Sequence, residues 1–218
     1  AAKTTAPPPV AAPSSPASLT MPLRFDRRGG SYVVQWQMEE EGASKGYSGI
    51  LDTASPFLTV SGLCGELDPD WGCLDTRFDD AIRRERRAFE PTYEVYGLQD
   101  DGVTDWQRGE VVLPGEGGSA VRLSDVVYGA SEGVASTRGG TAPAPMFGLV
   151  RDVAEGIRPS FLSQTDFSSF TVDFANSLLR LSGGEAPGAA GAATIPLVDL
   201  RPLGAPAFEY ACRIRSLV

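Results

Sequence analysis

Tyr47-Ser48-Gly49-Ile50-Leu51-Asp52-Thr53-Ala54-Ser55 carries a strand-like run straight into an acidic residue with hydroxyl side chains around it. Residues 57–60 resume strand character, so Asp52 is expected on a tight turn between two strands rather than inside a helix. A carboxylate in that position has a bland reading, a hydrogen-bonded turn residue with no chemistry, and a reactive one.

The flanking sequence is punctuated in the same way. Upstream, residues 23–25 and 32–38 alternate polar and apolar side chains about a turn at Gly29 and Gly30, and residues 39–42 form a charged bend. Downstream, residues 78–89 contain Ala81, Ile82 and an Arg/Glu cluster, which predicts a helix-compatible stretch with an exposed basic face. Residues 93–97 and 109–113 read as two strands of a hairpin around a polar tip at 98–107. A strand is expected over 121–128, a Gly/Ser/Thr-rich loop over 129–141, a short buried apolar run over 146–150 and a helical turn over 158–162. Residues 170–174 and 178–181 close a second hairpin over Ala175, Asn176 and Ser177.

Composition agrees with this pattern. With 218 residues, 42% of them hydrophobic, the chain can bury a core, and 25 Gly with 17 Pro favour a turn-rich all-β protein with short helices. Residues 1–21, dominated by Ala, Pro, Ser and Thr, are expected to form an N-terminal arm that cannot fold alone. Such an arm lies along its own domain or folds on a partner protein. Residues 22–184 form the lobe, 185–207 a Gly/Ala/Pro-rich linker, and 208–218 a C-terminal strand.

The formal net charge of −9 repels polyanions, so nucleic acid is not an expected partner. The chain contains no histidine, which removes His-based triads and His-dependent zinc motifs. Its three cysteines are too few for a four-Cys zinc site. Cys64 and Cys73 flank Gly65, Pro69 and Gly72, which suits a small surface loop closed by a disulfide and hence an oxidising compartment; two reduced thiols are the alternative. No apolar run is long enough to span a membrane as a helix, and no targeting pattern opens the sequence.

The order of these pieces resembles the amino-terminal lobe of the pepsin-like aspartic peptidases over residues 22–184. Residues 47–55 resemble that family's hydrophobic-hydrophobic-Asp-Thr-Gly-Ser turn, and the Cys64…Cys73 loop resembles its small disulfide loop. Tyr96-Gly97 is similar to the start of the flap, the hairpin that closes over substrate. Met146-Phe147-Gly148-Leu149 resembles the two-hydrophobics-then-Gly element that passes beside the active-site turn, and Phe170-Thr171-Val172 with 178–184 resembles the hairpin ending in Gly-Gly. The resemblance implies a partly closed barrel of antiparallel strands, with Asp52 as a catalytic carboxylate, Thr53 bracing its turn, Ser55 donating a hydrogen bond to Asp52, and Tyr96 covering substrate.

That chemistry requires two carboxylates a hydrogen bond apart that share a proton, one acting as base toward water and the other as acid toward the peptide carbonyl. One lobe supplies one of them. No second Asp-Thr/Ser-Gly turn occurs in these residues, and Asp173, followed by Phe174 and Ala175, reads as an ordinary strand residue. The sequence also departs from the family pattern at Ala54, where Gly is expected, at Thr59, at Leu98 and at Ala144-Pro145.

Three functions remain open. The first is a pseudoenzyme, a non-catalytic lobe serving as a binding or structural subunit of a larger protein assembly. The second is an active aspartic endopeptidase whose dyad is completed by a second copy or a second lobe. The third is an unrelated β-rich binding domain. None of them calls for a metal or cofactor. The expected partners are proteins contacting the N-terminal arm and a peptide in the cleft, with a place peripheral to a membrane complex compatible. The secretory pathway or an organelle lumen, the thylakoid lumen included, is the expected location.

Overall fold

The computed structural model describes residues 18–27, 29–40, 43–62, 64, 71–74, 85–94, 102–131, 145–184, 193–207 and 210–212. In chain order the strands are β1 (Ser18–Pro22), β2 (Arg24–Asp26), β3 (Ser31–Glu40), β4 (Ala43–Asp52), β5 (Thr59–Ser61), β6 (Arg87–Glu94), β7 (Gly102–Pro114), β8 (Ala120–Ser131), β9 (Met146–Gly148), β10 (Ser169–Asp173), β11 (Leu178–Ser182), β12 (Leu197–Val198) and β13 (Ala211–Cys212). Short 3-10 turns occupy Glu116–Gly118, Leu162–Gln164 and Arg201–Leu203. The protein is all-β, as its turn-rich composition predicts, and among the described residues no helix is long and apolar enough to cross a membrane.

The main sheet runs β5-β8-β7-β3-β4-β9, with β2 added to β3 and β6 to β7. β3 shows why: Val34, Trp36 and Met38 enter the core while Gln35 and Gln37 face out, so a period of two fixes its register against β4. β8 changes character midway. Val121 and Leu123 alternate with exposed neighbours, then residues 126–131 are all buried. The change coincides with a register shift between Gly109 and Val111 on β7 and with Asp125 at φ 57, the signature of a bulge that bends the strand over the core. Trp36, Tyr47, Phe147 and Phe161 fill the centre.

Among the described residues β4 pairs with β9 and β5 with β8 in parallel, so the sheet is mixed rather than purely antiparallel. It is not a closed barrel either; among the described residues its two ends meet at the isolated bridge Leu58–Phe147 and at the hydrogen bond from the Met146 amide to Thr59 Oγ1. A second sheet, β1-β11-β10, lies beside it, and β12 pairs β13.

Several boundaries differ from the sequence expectation. β1 begins inside the arm assigned to residues 1–21, with Leu19 and Met21 buried against the core, because β11 supplies the ladder that composition cannot reveal. The stretch expected to be helix-compatible to Phe89 turns into β6 at Arg87; Phe89 pairs with Trp106 and Ala88 packs on the Phe57–Trp106–Val127 cluster. Residues 104–107, expected in a polar hairpin tip, are ladder residues of β7 and buried, including Asp105 and Gln107. The helical turn expected over 158–162 starts later, at Leu162. The linker 185–207 includes β12, and its Ala207 is buried and bridged to Val153. Of the C-terminal strand expected over 208–218, Ala211–Cys212 form β13, and residues 208–209 and 213–218 lie outside the described residues.

Candidate functional site

Asp52 is the last residue of β4. The parallel register sets Ile50 beside Met146, Leu51 beside Phe147 and Asp52 beside Gly148, and the Asp52 carbonyl accepts the Leu149 amide at 2.8 Å. The chain then turns. Asp52 Oδ1 accepts the Ala54 amide at 2.8 Å, an Asx-type contact that fixes the carboxylate on its own turn. Among the described residues this is the one side-chain hydrogen bond Asp52 makes.

Thr53 and Ala54 are exposed, while Ser55 is buried. Ser55 Oγ accepts the Phe57 amide at 3.4 Å, and among the described residues it makes no hydrogen bond to Asp52, unlike the donor role expected for it. Its carbonyl accepts the Val150 amide at 3.1 Å, and the Phe57 carbonyl accepts the Gly148 amide at 3.0 Å. The Asp52 turn is therefore laced on both sides to the β9 segment. Gly148 makes that crossing feasible, since a Cβ there would stand 2.6 Å from backbone atoms of both Ser55 and Phe57. Pro145 takes part too, its carbonyl accepting the Ile50 amide at 2.8 Å. Thr59, one of the departures from the family pattern, is buried and accepts the Met146 amide at 2.9 Å.

Phe57 also connects the turn to the β6–β7 hairpin. The Arg158 guanidinium lies 4.1 Å from the Trp106 ring centroid and 5.0 Å from that of Phe57, and it donates to Glu94. Thr92 Oγ1 accepts the Trp106 indole N–H at 2.6 Å and donates to Glu94. With Arg158 only 18% exposed and Glu94 21%, this is a half-desolvated pair backed by two aromatic faces. Sequence reading placed Arg158 in a helical turn and gave no signal for this role; Tyr96 and Leu98 lie outside the described residues.

The disulfide joins Cys64 to Cys73. Cys73 is bridged to Ser61, the Leu74 amide donates to the Ser61 carbonyl at 2.8 Å, and Lys45 Nζ donates to the Cys73 carbonyl, so the loop is fastened to β4 and β5. A formed disulfide fits an oxidising environment. Cys212 is free and exposed.

Asp173 closes β10 rather than joining Asp52. Its carboxylate accepts the Asn176 side chain at 2.8 Å and the Asn176 amide at 3.1 Å, and these bonds hold its pKa below the usual carboxylate value.

No family model and no curated protein matches the chain. Among solved structures, the chain is similar to one described as the crystal structure of EDGP, with a TM-score of 0.46 and 13% sequence identity. That likeness covers 77% of this chain and 46% of the other, so the chain spans about half the length of the structure it matches.

Proposed function

We propose that this chain is a pepsin-like aspartic-peptidase lobe acting as a non-catalytic binding or structural subunit of a larger protein assembly. The observation that carries the reading is Asp52: one carboxylate on a laced turn, engaged by the Ala54 amide, where peptide hydrolysis of this kind requires two sharing a proton. Ala54 and Thr59 support it, because each replaces a residue the catalytic pattern uses. The disulfide favours the secretory pathway or an organelle lumen as the compartment.

The intact crossing at Gly148 favours a second reading, an endopeptidase whose dyad is completed by another copy or another lobe. The subunit reading and an endopeptidase completed by another copy separate in one assay. The purified chain is incubated with a denatured protein across acid pH, beside Asp52→Asn. The subunit reading expects no cleavage from either protein at any concentration. Cleavage that rises with concentration and disappears in Asp52→Asn replaces it with the endopeptidase.

A further inference from the structure

Phe25, Tyr32 and Phe174 form a continuous run of rings at the surface, with centroids 5.1 Å apart for Phe25–Tyr32 and 4.9 Å for Tyr32–Phe174. Phe25 is 51% exposed and Phe174 60%, although Tyr32 packs against the core. Three elements contribute, β2, β3 and the turn after β10, so the run is held by two sheets rather than by one loose loop. Exposed aromatic ridges of this kind recognise proline-rich segments, whose extended conformation loses little entropy on docking and whose rings pack on aromatic faces.

We propose that residues 1–17 of this same chain dock on the Phe25–Tyr32–Phe174 ridge. Prolines 7, 8, 9, 13 and 16 give that segment the required composition. Its attachment point brings it near. β1 pairs with β11 so that Pro22 faces Leu178, and the Leu23 amide donates to the Ser177 carbonyl at 2.8 Å, which sets that end of β1 beside the ring-bearing turn. Ser18, where the arm joins, is roughly 13 Å back along the strand. The arm itself reaches up to about 50 Å when extended. Pro7, Pro8 and Pro9 therefore reach the rings with length to spare once the chain reverses, and Pro13-Ser14-Ser15-Pro16 has turn-forming residues to do so. Tethering makes the contact intramolecular, so a weak ridge suffices. A partner protein on the ridge, or a second copy, would compete for the same rings.

The test places a nitroxide on the arm of the full chain through Val10→Cys in a Cys212→Ser background, and reads paramagnetic broadening of backbone amides. Docking predicts strong broadening at residues 24–26, 31–33 and 174–177, independent of protein concentration. It also predicts a severalfold reduction of that broadening in Phe25→Ala/Phe174→Ala. A second variant, Pro7→Ser/Pro8→Ser/Pro9→Ser, leaves the lobe untouched and is expected to release the arm equally. The proposal is overturned by broadening that is uniform and weak, or that either variant leaves unchanged. It is equally overturned by broadening that arises between labelled and unlabelled copies, which would assign the ridge to a second copy, or by a ridge that binds another protein while the arm stays unaffected.

Discussion

Gly148 lies flat against Phe57, its amide bonded to the Phe57 carbonyl at 3.0 Å and its missing Cβ replaced by backbone only 2.6 Å from where that atom would stand. The neighbours are main chain on a segment pinned by Ser55 and Val150, so they cannot rotate away. Gly148→Ala is expected to cost about 1–3 kcal/mol in denaturant unfolding. Gly46→Ala, with nothing within 4 Å of its added methyl, is the comparison and should stay within about 0.5 kcal/mol of the parent. Equal effects at both positions would mean that the crossing is loose enough to admit a methyl group.

The two strands of this crossing are legible in the sequence because each is a local pattern, but their meeting is not, since the segments lie far apart in the chain. An apolar run entering Asp52, and a second over residues 146–150, announce two strands, whereas their close approach is implied only by the family resemblance. β3 and the β10–β11 hairpin were equally readable, through alternation and a turn signal. What stayed hidden depends on distant partners. Asp105 and Gln107 look like a solvated tip until Arg87 approaches Asp105 at 3.6 Å and Gln107 Nε2 donates to it at 3.1 Å inside the sheet. Arg87 to Phe89 have helix-compatible letters, and only the Trp106 ladder makes them a strand. Arg158 is the plainest case, since its two stacking rings and its carboxylate come from three other parts of the chain.

Arg158 should be among the most sensitive polar positions in the protein. Arg158→Ala removes a cation from two aromatic faces and leaves Glu94 half-buried, which predicts a loss of about 2 kcal/mol by equilibrium unfolding. Arg158→Lys should recover little of it, because an ammonium keeps the charge but cannot lie flat on Trp106 while bonding Glu94. Full recovery by Lys would show that charge alone holds the β6–β7 hairpin to Phe57.

Reduction of the Cys64–Cys73 bond should loosen the edge of β5 first. The disulfide spans a sequence separation of 9, and Cys73 carries the bridge to Ser61 as well as accepting from Lys45. Cys64→Ser/Cys73→Ser is expected to lower stability by about 2–3 kcal/mol. Hydrogen exchange should localise the change, with faster exchange at Leu74, whose amide donates to the Ser61 carbonyl at 2.8 Å, than at Val34 in the core. Unchanged protection at Leu74 would mean that the loop is fastened by its hydrogen bonds and not by the cross-link.

Tyr210 ties the C-terminal segment to the β9 region, donating its hydroxyl proton to the Leu149 carbonyl at 2.7 Å and setting its ring edge-on to Phe170 at 5.6 Å. Burial raises the phenol pKa, and the charge of Asp152 pushes it the same way, outweighing Arg151. Only the neutral phenol can donate to Leu149. Because the folded pKa lies above the unfolded value of about 10, the contribution of Tyr210 is complete below that pH and is lost as pH climbs through the raised folded value. Stability should therefore fall more steeply above pH 10 in the parent than in Tyr210→Phe, which keeps the ring contact and has no proton to lose. Exchange of the Ala154 amide, bonded to the Pro206 carbonyl at 2.9 Å, should accelerate over the same interval, since that bond holds the same segment. Parallel pH profiles for the two proteins would show that the hydroxyl contributes nothing to holding Tyr210 and residues 193–207 in place.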